Sequence, residues 1–249
     1  MWRSIGAKAT GAAHAINGTP CQDAFAHTAL ADDLIAIAVA DGAGSAPFAK
    51  TGADISVARA VLYLRNIADL VAADHSLWGP AVRCAFDAAK GSLLDFGAAQ
   101  GIETGQLATT LQVALLGRMA YCYGRVGDGG GVGRLRGALV PLAPAPANVF
   151  ANETTFLTSE RSEPDVFFGT DPLTDCAIFT DGLQPVAMQL AHWTPHTPFF
   201  GPLFDFVRAS PDVAAAEDSL GAYLGTDKFD KRTDDDRAVV ISVWTADGV

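Results

Sequence analysis

Apolar residues in this chain gather into short runs that end abruptly at Asp, Gly or Pro. The clearest is Leu34 to Ala40, "LIAIAVA", which stops at Asp41-Gly42. Runs of this length, rich in β-branched residues and bounded by turn residues, read as strands. On that basis strands are expected near 22–29, 34–40, 108–117, 119–126, 134–141, 154–158, 176–180 and 237–245. Two stretches change period. Residues 48–72 carry Ile55, Val57, Ala60, Val61 and Leu64 at helical spacing, with Ser45 as the expected N-cap and Pro47 near the first turn. A second helix is expected over 77–98, and weaker ones over 184–192, 198–208 and 211–224. Strands and helices do not alternate, which disfavours a doubly wound parallel sheet. Consecutive strands with short turns imply antiparallel pairing, and two long helices inserted together imply a covering layer. The expected class is α+β, a sandwich of two antiparallel sheets flanked by helical layers. With no linker or repeat, residues 1–249 are expected to form a single domain.

Composition narrows the function. The formal net charge of −11 argues against a nucleic-acid or anionic-membrane partner. The longest apolar run, Leu34 to Ala40, is far too short for a membrane span. The N-terminus lacks a sustained apolar segment, so a cytoplasmic location is expected. Cys21, Cys84, Cys122 and Cys176 are scattered without zinc-ligand spacing and are read as core filler. The sequons at Asn17 and Asn152 are read as chance matches.

The candidate chemistry lies at the run ends. Asp41 and Asp181 each follow an apolar strand, Asp235 precedes one, Asp23 opens the first hairpin, and Asp128 follows strand 119–126. In antiparallel sheets the end of one strand lies beside the start of its neighbour, so these acids can meet at one edge. Any one Asp-Gly is also an ordinary turn. Converging carboxylates repel: two charges 4 Å apart cost ~4 kcal/mol at an effective dielectric near 20. A cluster therefore calls for a counter-charge. Oxygen-only ligands select hard cations such as Mg²⁺, Mn²⁺ or Ca²⁺. A pair of such ions ~3.5–4 Å apart is a known arrangement for phosphate-ester hydrolysis.

The segments "GTPCQDAF", "AVADGAGS", "LATTLQVALL", "RVGDGG", "NETTFLTS", "FTDGL" and "DDDRAVVIS" occur in an order that resembles the PPM family, the metal-dependent protein phosphatases of type 2C, in its compact bacterial branch. The resemblance implies a two-sheet sandwich with helices outside. It also implies hydrolysis of phosphoserine or phosphothreonine by a water held between two Mg²⁺ or Mn²⁺ ions, with a possible third ion. Asp41 resembles the carboxylate bridging the two ions, and the Gly42 carbonyl a ligand of the second. Asp181 and Asp235 resemble ligands of the first, Asp23 the acid that holds water, and Asp128 a ligand of the third, weaker ion. Counting back from Val239 selects Asp235 within "DDD", leaving Asp236 as a polar neighbour and Asp234 as a solvated loop acid. The chain departs from the pattern in three places. No Arg closely precedes Asp23, so His14 is the candidate phosphate-binding residue; Ala43 stands where some relatives place a His; "GDGGG" replaces Gly-Asp-Ser and reads as a glycine-rich hairpin. The implied partners are a phosphorylated protein substrate and a cognate Ser/Thr kinase. The competing readings are a pseudophosphatase binding module on the same fold and a hydrolase of a small phosphate ester.

Overall fold

The computed structural model describes residues 1–146 and 154–245. The chain runs β1 (Trp2–Ala9), α1 (Ala12–Asn17), β2 (Ala24–Ala31), β3 (Leu34–Ala40), α2 (Ala49–Asn66), α3 (Ala68–Ala73) and α4 (Trp78–Gln100). It continues with β4 (Leu111–Gly117), β5 (Tyr121–Val126), β6 (Gly130–Leu135), β7 (Ala138–Pro141), β8 (Asp165–Gly169) and β9 (Leu173–Phe179). The last elements are α5 (Gln184–Ala187), β10 (Met188–Gln189), β11 (Thr194–Pro195), α6 (Thr197–Ala209), α7 (Val213–Leu224), α8 (Asp227–Asp230) and β12 (Arg237–Trp244). Among the described residues, two five-stranded antiparallel sheets form, ordered β1-β12-β9-β6-β7 and β2-β3-β4-β5-β8. No helix among them is long and apolar enough to cross a membrane.

Strand β3 shows why the layers form. Its large residues Ile35, Ile37 and Val39 face Ile178 and Val240 of the other sheet. Its small residues Ala36, Ala38 and Ala40 face the opposite way, against Ala53, Val57 and Ala60 of α2. Alanine on that face lets the helix approach closely, so β3 is buried on both sides and reads as an unbroken apolar run. The second sheet repeats the arrangement. Ala177, Phe179, Val239 and Ile241 pack outward under Phe200, Phe204, Leu220 and Leu224 of α6 and α7.

Several sequence expectations are corrected. Strands β1 and β8 were not foreseen. Residues 154–158 form no strand; they are irregular chain with a turn, tied to the sheet by the Leu157 amide donating to Thr109 O at 2.8 Å. The 134–141 run is two strands, β6 and β7, folded at Arg136-Gly137, where both residues adopt positive φ. Helix 48–72 breaks at Ile67, whose φ of −112° and ψ of 20° leave the helical region. Ser45 caps nothing: the chain turns between Ala43 and Ala46, and α2 starts after Phe48 with no side-chain cap. The 184–192 helix is the single turn of α5. Cys122 and Cys176 are core residues, whereas Cys84 is exposed and Cys21 half-buried.

Toward one end of the sandwich, Asp175 on β9 is 1% exposed and accepts from Arg134 Nε at 2.5 Å and from Arg208 of α6. This clamp ties α6 to the sheet. Removing the acid strands two guanidinium groups against each other, so Asp175→Ala is expected to cost roughly 3 kcal/mol, the low end for a broken buried pair because both arginines reach solvent. Urea unfolding reads this loss. The clamp lies at the end of β9 remote from Asp181, so turnover per folded molecule is expected to be unchanged.

Candidate metal centre

Strand register builds the other end. Ala24 pairs with Ala40, so Asp23 and Asp41 sit together just past that pair. Val39 pairs with Gln112 and Leu111 with Val126, which carries the chain across to Asp128. In the other sheet Phe179 pairs with both Gly130 and Val239, bringing Asp181 beside the approach to β12. The acids therefore come from two sheets. Asp41 does not share a sheet with Asp181 and Asp235, as antiparallel neighbourhood alone suggests; the sandwich brings Asp41 to Asp181 and Asp128, and Asp23 and Asp235 lie outside that trio. The "GDGGG" turn is likewise no hairpin, because β5 and β6 belong to different sheets and Asp128 sits on the crossing between them.

Carboxylate oxygens of Asp41, Asp128 and Asp181 lie within 4.8 Å of one another. The main chain of Asp41 is fixed on both sides: its amide donates to Thr110 Oγ1 at 3.0 Å, and its carbonyl accepts from Thr109 Oγ1 at 2.8 Å. Gly42 passes so close to α2 that a Cβ would stand 2.7 Å from the Ala49 carbonyl, so no side chain fits there. Gly129 is equally constrained, since a Cβ would overlap the Gln112 amide. That amide is itself committed, donating to Phe179 O at 2.8 Å.

Asp23 is 1% exposed. Thr180 Oγ1 accepts from the Ala238 amide at 2.8 Å and donates its proton to Asp23 Oδ2 at 2.6 Å. Thr154 Oγ1 donates to Asp128 Oδ2 at 2.8 Å, and Gln184 Nε2 donates to Asp128 O. Asp235 is the exposed member, its Oδ1 accepting from the Asp236 amide at 2.8 Å. His14 lies on α1, with Nδ1 2.9 Å from Asp236 Oδ2.

Burial pushes the carboxyls of Asp23, Asp41 and Asp181 well above the usual carboxylate range. Mutual repulsion adds to it: Asp23, Asp235 and Asp128 act on Asp41, and Asp41, Asp128 and Asp235 act on Asp181. The Thr180 hydroxyl pulls Asp23 the other way. Asp235 is also raised, first by partial desolvation, and the His14 imidazole opposes this. A divalent cation would relieve each of these strains at once. The donor set fits one: it is all oxygen, and Asp23 Oδ1 and Asp128 Oδ1 are buried with no hydrogen-bond partner among the described residues.

The family model for protein phosphatase 2C matches residues 10–225. The chain belongs to the protein phosphatase 2C family. The matched segment contains Asp23, Asp41, Asp128 and Asp181, while Asp235 lies beyond it. A wider alignment, 29% identical and covering 98% of each chain, joins this phosphatase to serine/threonine-protein phosphatase 3 of Escherichia coli K12. Solved structures share the fold at low identity. The S. agalactiae serine/threonine phosphatase matches at TM-score 0.68 and 12% identity, over 98% of this chain and all of that one (100%). The catalytic domain of PstP, solved with 2 manganese ions, matches at 0.63 and 16% over 97% of both chains. Stp1 of Staphylococcus aureus matches at 0.64 and 13%, over 99% of this chain and 96% of its own.

Thr180 and Asp236 escaped sequence reasoning. Thr180 directly precedes Asp181 in "FTDGL", and its place at a strand end was the available signal. In the sequence Asp236 reads only as the polar neighbour of Asp235. Yet residues flanking a strand start point to opposite sides, so one of the two had to turn inward. Asp236 does, at 2% exposure.

Proposed function

We propose that this protein is a Mg²⁺- or Mn²⁺-dependent phosphatase of phosphoserine and phosphothreonine residues in proteins, opposing a cognate Ser/Thr kinase in the cytoplasm. The observation that carries this reading is the meeting of Asp41, Asp128 and Asp181 near buried Asp23, whose Oδ1 has no hydrogen-bond partner among the described residues. Asp41 would bridge two ions, with the Gly42 carbonyl on the second, Asp181 and Asp235 on the first, and Asp128 on a third, weaker one. When bound, such ions polarise phosphoryl oxygens and lower the pKa of water. The chain's own groups do the rest. Asp23 orients the attacking water through its free oxygen. Thr109 and Thr110 hold Asp41 in place, and Thr180 fixes Asp23. His14 contacts the substrate phosphate. The full acid set disfavours a pseudophosphatase.

The test is release of phosphate from a phosphoserine peptide with Mn²⁺ and with EDTA. Hydrolysis that needs Mn²⁺ supports the reading; none in either condition overturns it. Within it, Asp128→Ala is expected to keep the two central ions and lower kcat roughly tenfold. Calorimetric titration with Mn²⁺ checks the first part, since loss of the tight sites would reassign Asp128.

A further inference from the structure

Asp236 accepts three hydrogen bonds, from the Gly11 amide at 2.7 Å, the Gln22 amide at 2.6 Å and His14 Nδ1 at 2.9 Å. It pins α1 to the approach of β12, and the Ala13 amide adds a bond to Asp234 O at 3.0 Å. Two backbone amides can only donate, so Asp236 is the acceptor throughout and Nδ1 of His14 carries the hydrogen. Among the described residues the remaining ring nitrogen, Nε2, makes no hydrogen bond. Nε2 lies 3.9 Å from where a Cβ on Gly44 would stand, three residues beyond Asp41. The ring is 21% exposed, whereas the Asp236 side chain is 1% exposed. A buried carboxylate thus holds an imidazole that a substrate can reach, at the rim of the acidic cluster.

We infer that Asp236 and His14 form a proton-delivery pair, in which Asp236 positions the ring and Nε2–H protonates the leaving oxygen of the phosphorylated serine or threonine. The inference rests on the phosphatase reading and narrows the His14 contact to the bridging ester oxygen. In the step, water oxygen forms the new bond to phosphorus. The P–O ester bond breaks, its electron pair goes to the side-chain oxygen, and that oxygen takes the Nε2 proton to give the free alcohol. A proton lost by the attacking water passes to solvent, and Nε2 is reprotonated from solvent for the next turn. His14 keeps its Nδ1–H on Asp236 throughout. An alkoxide is a poor leaving group and gains from this proton, while p-nitrophenolate leaves readily without it. General acids contribute about 10²–10⁴ in rate where the leaving group needs one.

The experiment compares the full chain with His14→Gln at saturating Mn²⁺, on a phosphoserine peptide and on p-nitrophenyl phosphate. Expected is a fall in kcat of about a hundredfold on the peptide and a much smaller fall on the aryl ester, so their ratio drops at least ~tenfold. Equal losses on both, or raised KM with unchanged kcat, would show a phosphate grip or a structural role and overturn the pair. Asp236→Asn is expected to shift the ratio the same way by less; if it does not fold, His14→Gln decides alone. The wild type is assayed first: inactivity on both substrates sinks the phosphatase reading, whereas an unshifted ratio in an active enzyme sinks only the proton-delivery pair.

Discussion

Asp41→Asn is expected to abolish phosphopeptide hydrolysis, by roughly 10³-fold or more, while the protein stays folded. The side chain keeps its shape, and its main chain remains held by Thr109 and Thr110. What is lost is the charge facing Asp23, Asp128 and Asp235. In the metal-free protein that charge is a liability, so the variant is expected to melt no lower than wild type in EDTA. Turnover near normal at saturating Mn²⁺ would remove Asp41 from the centre of the mechanism.

The second large effect is on stability, and its sign follows from the carboxyl shifts. Asp23, Asp41 and Asp181 titrate well above their unfolded values. The folded metal-free protein therefore binds more protons than the unfolded chain over that interval. The stability tied to these groups is fully present below the ordinary carboxylate range and is lost as pH rises through their raised folded values. In EDTA the melting temperature should fall from mildly acidic to neutral pH. Bound Mn²⁺ would replace the protons as counter-charge. At a hundred times its Kd it adds about 2.7 kcal/mol, or roughly 5–10 °C for a domain of this size. A melting temperature indifferent to Mn²⁺ at neutral pH, or one that rises with pH in EDTA, would contradict the metal-centre reading.

The layers of this fold were legible because the apolar runs are local. Strand β3 announces itself from Leu34 to Ala40 and ends where expected. Strand β1 does not: Arg3, Ser4, Gly6 and Lys8 interrupt the pattern, and the strand exists because eight of its residues pair with β12 at the far end of the chain. Pairing over that separation leaves no local signature. The acids could be recognised as strand-end residues, but their sheets could not be assigned. The sequence placed Asp41 and Asp181 on one edge, whereas two stacked edges supply them. Asp236 was hidden for the same reason, since only its partners Gly11, His14 and Gln22, more than 200 residues away, distinguish it from Asp235.

Ile35, Ile37 and Val39 on one sheet and Ile178 and Val240 on the other form the filling between the layers. Because Asp41 is anchored to the first sheet and Asp181 to the second, the thickness of that filling sets the gap the carboxylates span. Interiors pack as tightly as organic crystals, so the gap is stiff. A methylene gained or lost at Ile37 or Ile178 works like a shim under one jaw of a calliper. Any ion held there would meet a gap set partly by hydrocarbon it never touches.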